Sequence, residues 1–154
     1  EFNMICSGAG AFESLRLEKG YRSLGSDIHT NYNPYESGLG FTVKLKKDDD
    51  FIGKSALQKI KERPVQKKLT CMILEDPEGM ALGTEPIYSN GKAVGYVTST
   101  NYGYFVDKHI VYGYLPSELS ENGTALELEY FGKRYPLKVT QEPLLDPENN
   151  RLKS

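Results

Sequence analysis

Beyond Lys67 the sequence breaks into short runs of alternating apolar and polar residues separated by turn residues, a pattern that restricts the second half of the chain to small all-β architectures. The clearest run is Ile87 to Ser99, divided by Asn90-Gly91. A type I′ turn needs positive φ at both central residues, which Asn and Gly adopt at low cost, so this run predicts a hairpin. Lys68 to Leu74 and His109 to Leu115 read as strands, and Thr124 to Phe131 is predicted to pair with Arg134 to Thr140 across Gly132-Lys133. Five or six short strands within about 75 residues predict a small antiparallel barrel or sandwich.

Before Lys67 the pattern is mixed. Residues 8 to 19 predict a helix capped by Ser7 and stopped by Gly20, with Ala11, Phe12 and Leu15 on its apolar face. Ser26 to Gly38 is rich in turn residues, and Pro34 forces Asn33 out of the helical region, so an ordered loop follows. Leu39, Phe41, Val43 and Leu45 alternate with Gly40, Thr42 and Lys44 in the period of a half-buried strand that Lys46-Lys47 end. Lys54 to Arg63 predicts a helix buried through Ala56, Leu57 and Ile60 and terminated by Pro64. The change in pattern near residues 63 to 67 marks a domain boundary, giving units 1–63 and 64–154 and an α+β fold class.

Composition narrows the function classes. The 19 basic and 21 acidic side chains give a net charge of -2 with no long basic stripe, which argues against nucleic acid or an anionic membrane as partner. No apolar run approaches the ~20 residues a membrane span needs. Glu1-Phe2-Asn3-Met4 has none of the features of a signal peptide, and Glu1-Phe2 has the look of a cloning remnant. Cys6 and Cys71 are isolated, which fits two small buried hydrophobes in a reducing compartment better than a disulfide or a thiolate metal site. His29 and His109 lack partners at ligand spacing, so no zinc site is expected.

Gly8-Ala9-Gly10 fails as a dinucleotide fingerprint, because the third glycine would fall at Glu13 and no strand precedes it. Neither a nucleophile elbow nor a Cys/His pair stands out. Taken by residue type alone, Arg16 and Glu18 read as a surface charge pair, and Tyr102 and Tyr104 as strand-edge aromatics. The chain offers no self-contained active site.

Ordered segments add a resemblance. Ser14-Leu15-Arg16-Leu17-Glu18-Lys19-Gly20-Tyr21 with Gly25-Ser26-Asp27-Ile28, then Asn33 to Phe41, Asp50 to Leu57, Gly83 to Ile87 and Val94 to Ser99 resemble successive motifs of the aminomethyltransferase family. That family includes the glycine cleavage T-protein and the C-terminal halves of dimethylglycine and sarcosine dehydrogenases. Tyr102-Gly103-Tyr104, Gln141 to Leu144, Asp146-Pro147 and Arg151-Leu152 are more similar to the dimethylglycine branch.

The resemblance implies that residues 1–63 complete a folate-binding aminomethyltransferase domain and that 64–154 form its C-terminal β-barrel. It implies tetrahydrofolate as cofactor, with Glu18 on the pterin, whose adjacent N–H donors suit a carboxylate. It also brings Lys47, beside Lys46, and Arg151 to the folate channel, although lysine is a poor substitute for a bidentate arginine. The catalytic Asp and an FAD domain would lie ahead of residue 1, in a parent oxidising an N-methyl glycine and capturing the one-carbon unit on folate. A T-protein proper and a non-catalytic homologue are the alternatives.

The chain alone is then expected to be inactive and a weak folate binder, with an exposed apolar face that favours the rest of the parent chain or self-association. The implied compartment is the cytoplasm, or the mitochondrial matrix in a eukaryote.

Overall fold

The computed structural model describes residues 4–153; Glu1 and Phe2, the suggested cloning remnant, lie outside them. Six strands form a closed antiparallel barrel: β1 Lys67–Leu74, β2 Pro86–Ser89, β3 Lys92–Gly103, β4 Lys108–Pro116, β5 Ala125–Tyr130 and β6 Lys133–Val139, in the order β1-β4-β3-β2-β5-β6, with β6 returning to β1. Three helices are described: α1 Ala9–Glu18, α2 Lys54–Lys61 and α3 Asn150–Lys153. None of them is long and apolar enough to cross a membrane.

The hairpin at Asn90-Gly91 forms as its residue types predict, with φ of 49° and 77°. The β5–β6 turn sits one residue earlier than predicted, on Phe131 and Gly132, whose φ values are 48° and 76°. The register Tyr130↔Lys133 leaves Lys133 in the strand, so the left-handed glycine becomes the second turn residue.

Period-two alternation divides the core. Leu126 and Leu128 of β5 and Tyr135, Leu137 and Val139 of β6 point into the barrel, where they meet Met72, Ile87, Val97, Val111 and Leu115. Strands β1 and β4 are buried on both faces. Their inward positions join that interior, while Leu69, Cys71, Ile110, Tyr112 and Tyr114 face outward into a second cluster closed by Leu17 of α1. Full burial of Leu17 contributes about 1.5–3 kcal/mol to this docking. Close approach of β3 and β4 depends on glycine: a Cβ on Gly95 would stand 2.2 Å from the carbonyl oxygen of Tyr114.

Several expectations for the first part are corrected. Gly8 rather than Ser7 is the N-cap of α1, and no side chain caps it. The buried face of α1 is Ser14, Arg16, Leu17 and Glu18, whereas Phe12 and Leu15 are 66% and 60% exposed. Residues 39 to 45 form no strand; Gly40–Thr42 is a 3-10 turn in which the Thr42 amide donates to the Leu39 carbonyl at 3.0 Å. The physical reason is that every barrel strand is already paired on both sides, so an alternating segment finds no partner. In α2, Leu57 and Ile60 are half-buried and Ala56 is exposed. Cys6 is exposed, contrary to expectation, while Cys71 is buried as expected.

The loop after α1 is tied to the barrel through Asp27. Its Oδ2 pairs with Arg16 Nη1 at 3.0 Å and accepts from the Ser23 amide at 2.9 Å, and its Oδ1 accepts from Thr98 at 2.6 Å. Arg16 also donates to Ser99 Oγ at 2.9 Å. Arg16 is 6% exposed and Asp27 1%, so the sequence-based surface pair of Arg16 with Glu18 is replaced by a buried pair with Asp27.

Candidate functional site

Glu18 ends α1 one turn after Ser14, and these two residues with Leu17 make the stripe that lies on β3. Ser14 Oγ donates to the Tyr102 carbonyl at 2.7 Å, and Asn101 Nδ2 donates to the Gly10 carbonyl at 3.3 Å, fixing both ends of the contact. Gly103 makes room for it, since a Cβ there would lie 2.9 Å from Glu18 Cγ. The acidic side chain is thereby carried to 1% exposure.

Within the turn that joins β3 to β4, the backbone amides of Phe105 and Val106 donate to Glu18 Oε1 at 2.7 and 3.2 Å. Oε2 is buried and has no hydrogen-bond partner among the described residues. A buried polar oxygen left unmatched costs on the order of 1–3 kcal/mol, more when charged, so this atom is poised to accept a donor from outside the chain. Glu18 is one of the residues lining a groove of about 690 Å³, together with Gly10, Ala11, Ser14, Leu15, Asn101, Tyr104 and Phe105. A buried carboxylate among largely apolar and aromatic walls suits a flat ligand bearing N–H or O–H donors.

The other sequence-derived candidates divide. Arg151 stacks over the Phe105 ring, with Cζ 4.6 Å from its centroid, which puts a cation beside the wall of the Glu18 groove. Lys47 does not line that groove. It is 64% exposed, pairs with Asp49 at 2.9 Å and borders a separate depression with Val43, Lys46 and Lys61.

Tyr104, Phe105, Asn101 and the two turn amides were not identified from sequence as site residues. Backbone donors carry no side-chain signature, and the only pointer to this turn was the Tyr102-Gly103-Tyr104 run.

A second, more polar cleft of about 520 Å³ opens near the same turn, among Glu75, Asp76, Tyr102, Asp107, Lys108 and His109. Thr100 Oγ1 lies 3.0 Å from His109 Nε2, and burial, only partly opposed by the charge of Glu85, lowers the His109 pKa below its ordinary 6.5. Burial pushes the Cys71 thiol up to about 12, so it stays protonated and unreactive near neutral pH. No group of three or more His, Cys, Asp and Glu suited to a metal ion occurs among the described residues.

The profile of the glycine cleavage T-protein C-terminal barrel domain matches residues 67–146, which include all six strands. The chain belongs to that family. The profile of the GCVT N-terminal domain matches residues 1–47, the part that carries Glu18 and Asp27.

Human mitochondrial dimethylglycine dehydrogenase is 43% identical over 147 residues, spanning 94% of this chain and 17% of its own length. An aminomethyltransferase of Prochlorococcus marinus is 38% identical over 136 residues, covering 88% of this chain and 36% of that protein. In three dimensions, the glycine cleavage system aminomethyltransferase T from Bartonella henselae superimposes with a TM-score of 0.78 at 26% identity, over 89% of this chain and 38% of that one. The family member described here therefore spans about one sixth of the dehydrogenase that it resembles.

Proposed function

We propose that this chain is part of a folate-dependent N-methyl glycine dehydrogenase or oxidase, and that its groove is one wall of the tetrahydrofolate site. The observation that carries the reading is Glu18 Oε2, a buried acceptor without a partner among the described residues, on a side chain that lines a groove with Tyr104 and Phe105. Adjacent N–H donors on a pterin would satisfy that oxygen, and Oε1 is already held by the turn amides. The greater identity to the dimethylglycine dehydrogenase than to the aminomethyltransferase favours the flavin-linked branch.

In this reading a flavin supplied by the rest of the parent accepts the electrons of amine oxidation, and tetrahydrofolate takes up the one-carbon unit. No residue of this chain is assigned to the flavin or to a chemical step. Glu18 fixes the ring, residues 104–106 and Leu15 exclude water from it, and Arg151 offers a cation at the groove edge. Lys47 enters only through the tail of a ligand long enough to leave the groove. Units 1–63 and 64–154 act as one wall and its closure, in the mitochondrial matrix of a eukaryote or in the cytoplasm.

The test uses the full-length parent. Dimethylglycine bleaches the flavin absorbance and, with tetrahydrofolate, yields methylene-tetrahydrofolate. Glu18→Gln weakens tetrahydrofolate binding about 10- to 100-fold, the scale of a charged hydrogen bond. Absence of bleaching with any N-methyl glycine refutes the substrate class, and unchanged folate affinity in the Glu18 variant refutes the site. Turnover of a lipoyl-borne aminomethyl group without flavin would instead identify a T-protein.

A further inference from the structure

The run Tyr102-Gly103-Tyr104 has a division of labour that the ligand contact alone does not explain. Gly103 leaves space for Glu18, and Tyr104 lines the groove. Tyr102 does neither. Its hydroxyl donates to Asp107 Oδ1 across the β3–β4 turn, and its ring meets that of Tyr104 edge-on with centroids 5.2 Å apart. Asp107 has φ of 55°, a left-handed conformation that Asp tolerates better than most residues. The hydrogen bond therefore joins the last turn residue to the strand on the opposite side, enclosing Phe105 and Val106, whose amides hold Glu18 Oε1.

We infer that Tyr102 and Asp107 are positioning residues: their side-chain hydrogen bond holds the β3–β4 turn in the shape that presents the Phe105 and Val106 amides to Glu18, and so leaves Oε2 free for the ligand. This deepens the proposed function and rests on its reading of the groove for the ligand consequence, though not for the turn geometry. The hydrogen bond to Asp107 raises the Tyr102 pKa, so the hydroxyl keeps its proton at neutral pH. Neither residue is assigned a contact with the ligand.

Two readouts test this separately. In the 154-residue chain, Tyr102→Phe removes only the hydroxyl and speeds hydrogen exchange at the Phe105 and Val106 amides about 2- to 10-fold, the range of one solvent-exposed hydrogen bond, while amides of β1 stay unchanged. Asp107→Gly keeps the left-handed backbone but lacks the acceptor, and shows the same acceleration; Asp107→Asn, which retains an acceptor oxygen, restores slow exchange.

In the full-length parent, Tyr102→Phe raises the tetrahydrofolate Kd by a similar factor and leaves flavin reduction by dimethylglycine unchanged. Exchange at both amides as slow in Tyr102→Phe as in the wild type overturns the inference. Accelerated exchange in a parent that does not bind tetrahydrofolate upholds the clamp and refutes the folate reading.

Discussion

Strands β5 and β6 turn Leu126, Leu128, Tyr135, Leu137 and Val139 inward and leave Glu127, Glu129, Arg134 and Lys138 to the solvent side. Helix α1 does the reverse: it buries Ser14, Arg16 and Glu18 beside Leu17 and presents Phe12 and Leu15 outward. The barrel interior is filled by side chains between Met72 and Val139, while Leu17 of α1 helps to cover the outer faces of β1 and β4. The helix docks through Leu17 and through polar contacts with the barrel, and its Phe12 and Leu15 remain exposed. A family member can thus combine a barrel with an apolar interior and a helix whose buried face is mostly polar.

Breaking a buried charge pair gives the largest expected contrast. Arg16→Met leaves Asp27 buried without its cation and destabilises the chain by about 3–5 kcal/mol, measured by urea unfolding. Leu128→Ala, fully inside the barrel, costs about 2–5 kcal/mol in the same experiment. If the first loss is under 1 kcal/mol while the second is as stated, α1 is not anchored by the Arg16–Asp27 pair and the contrast collapses.

Replacing Phe12 and Leu15 together by Ser is expected to change the stability of the isolated chain by only about 0.5 kcal/mol per site. The same double variant lowers concentration-dependent association in analytical ultracentrifugation and impairs folding of the full-length parent. An isolated chain that loses several kcal/mol would show that these side chains are already covered.

The smallest effect concerns pH. Burial keeps the native His109 pKa below 6.5, so the unfolded chain binds a proton more readily than the folded one. Stability therefore falls as pH drops below about 6.5 and stops falling on this account below the lowered native pKa. The His109→Gln variant lacks that part of the decline in thermal scans taken along the pH series.

The barrel was legible because its signals are local: Asn90-Gly91 defines a turn, and period-two alternation assigns a face once two strands pair. Leu39 to Leu45 carries the same alternation and misleads, since alternation does not guarantee an unpaired strand edge to join. Helix α1 was legible as a helix but not in orientation, because hydrophobicity assigns the apolar face inward and cannot foresee that Arg16 and Asp27 pair across a loop. Glu18 emerged only through family resemblance. Its composition context suggested a surface residue, and its amide partners lie more than eighty positions away in a turn.

Closure of the six-strand ring has a consequence for self-recognition. Each strand is paired on both sides along part of its length, so the sheet has no open end strand to which another chain could add. A contact that another chain makes with this fold then falls to side chains, such as the exposed Phe12 and Leu15 of α1.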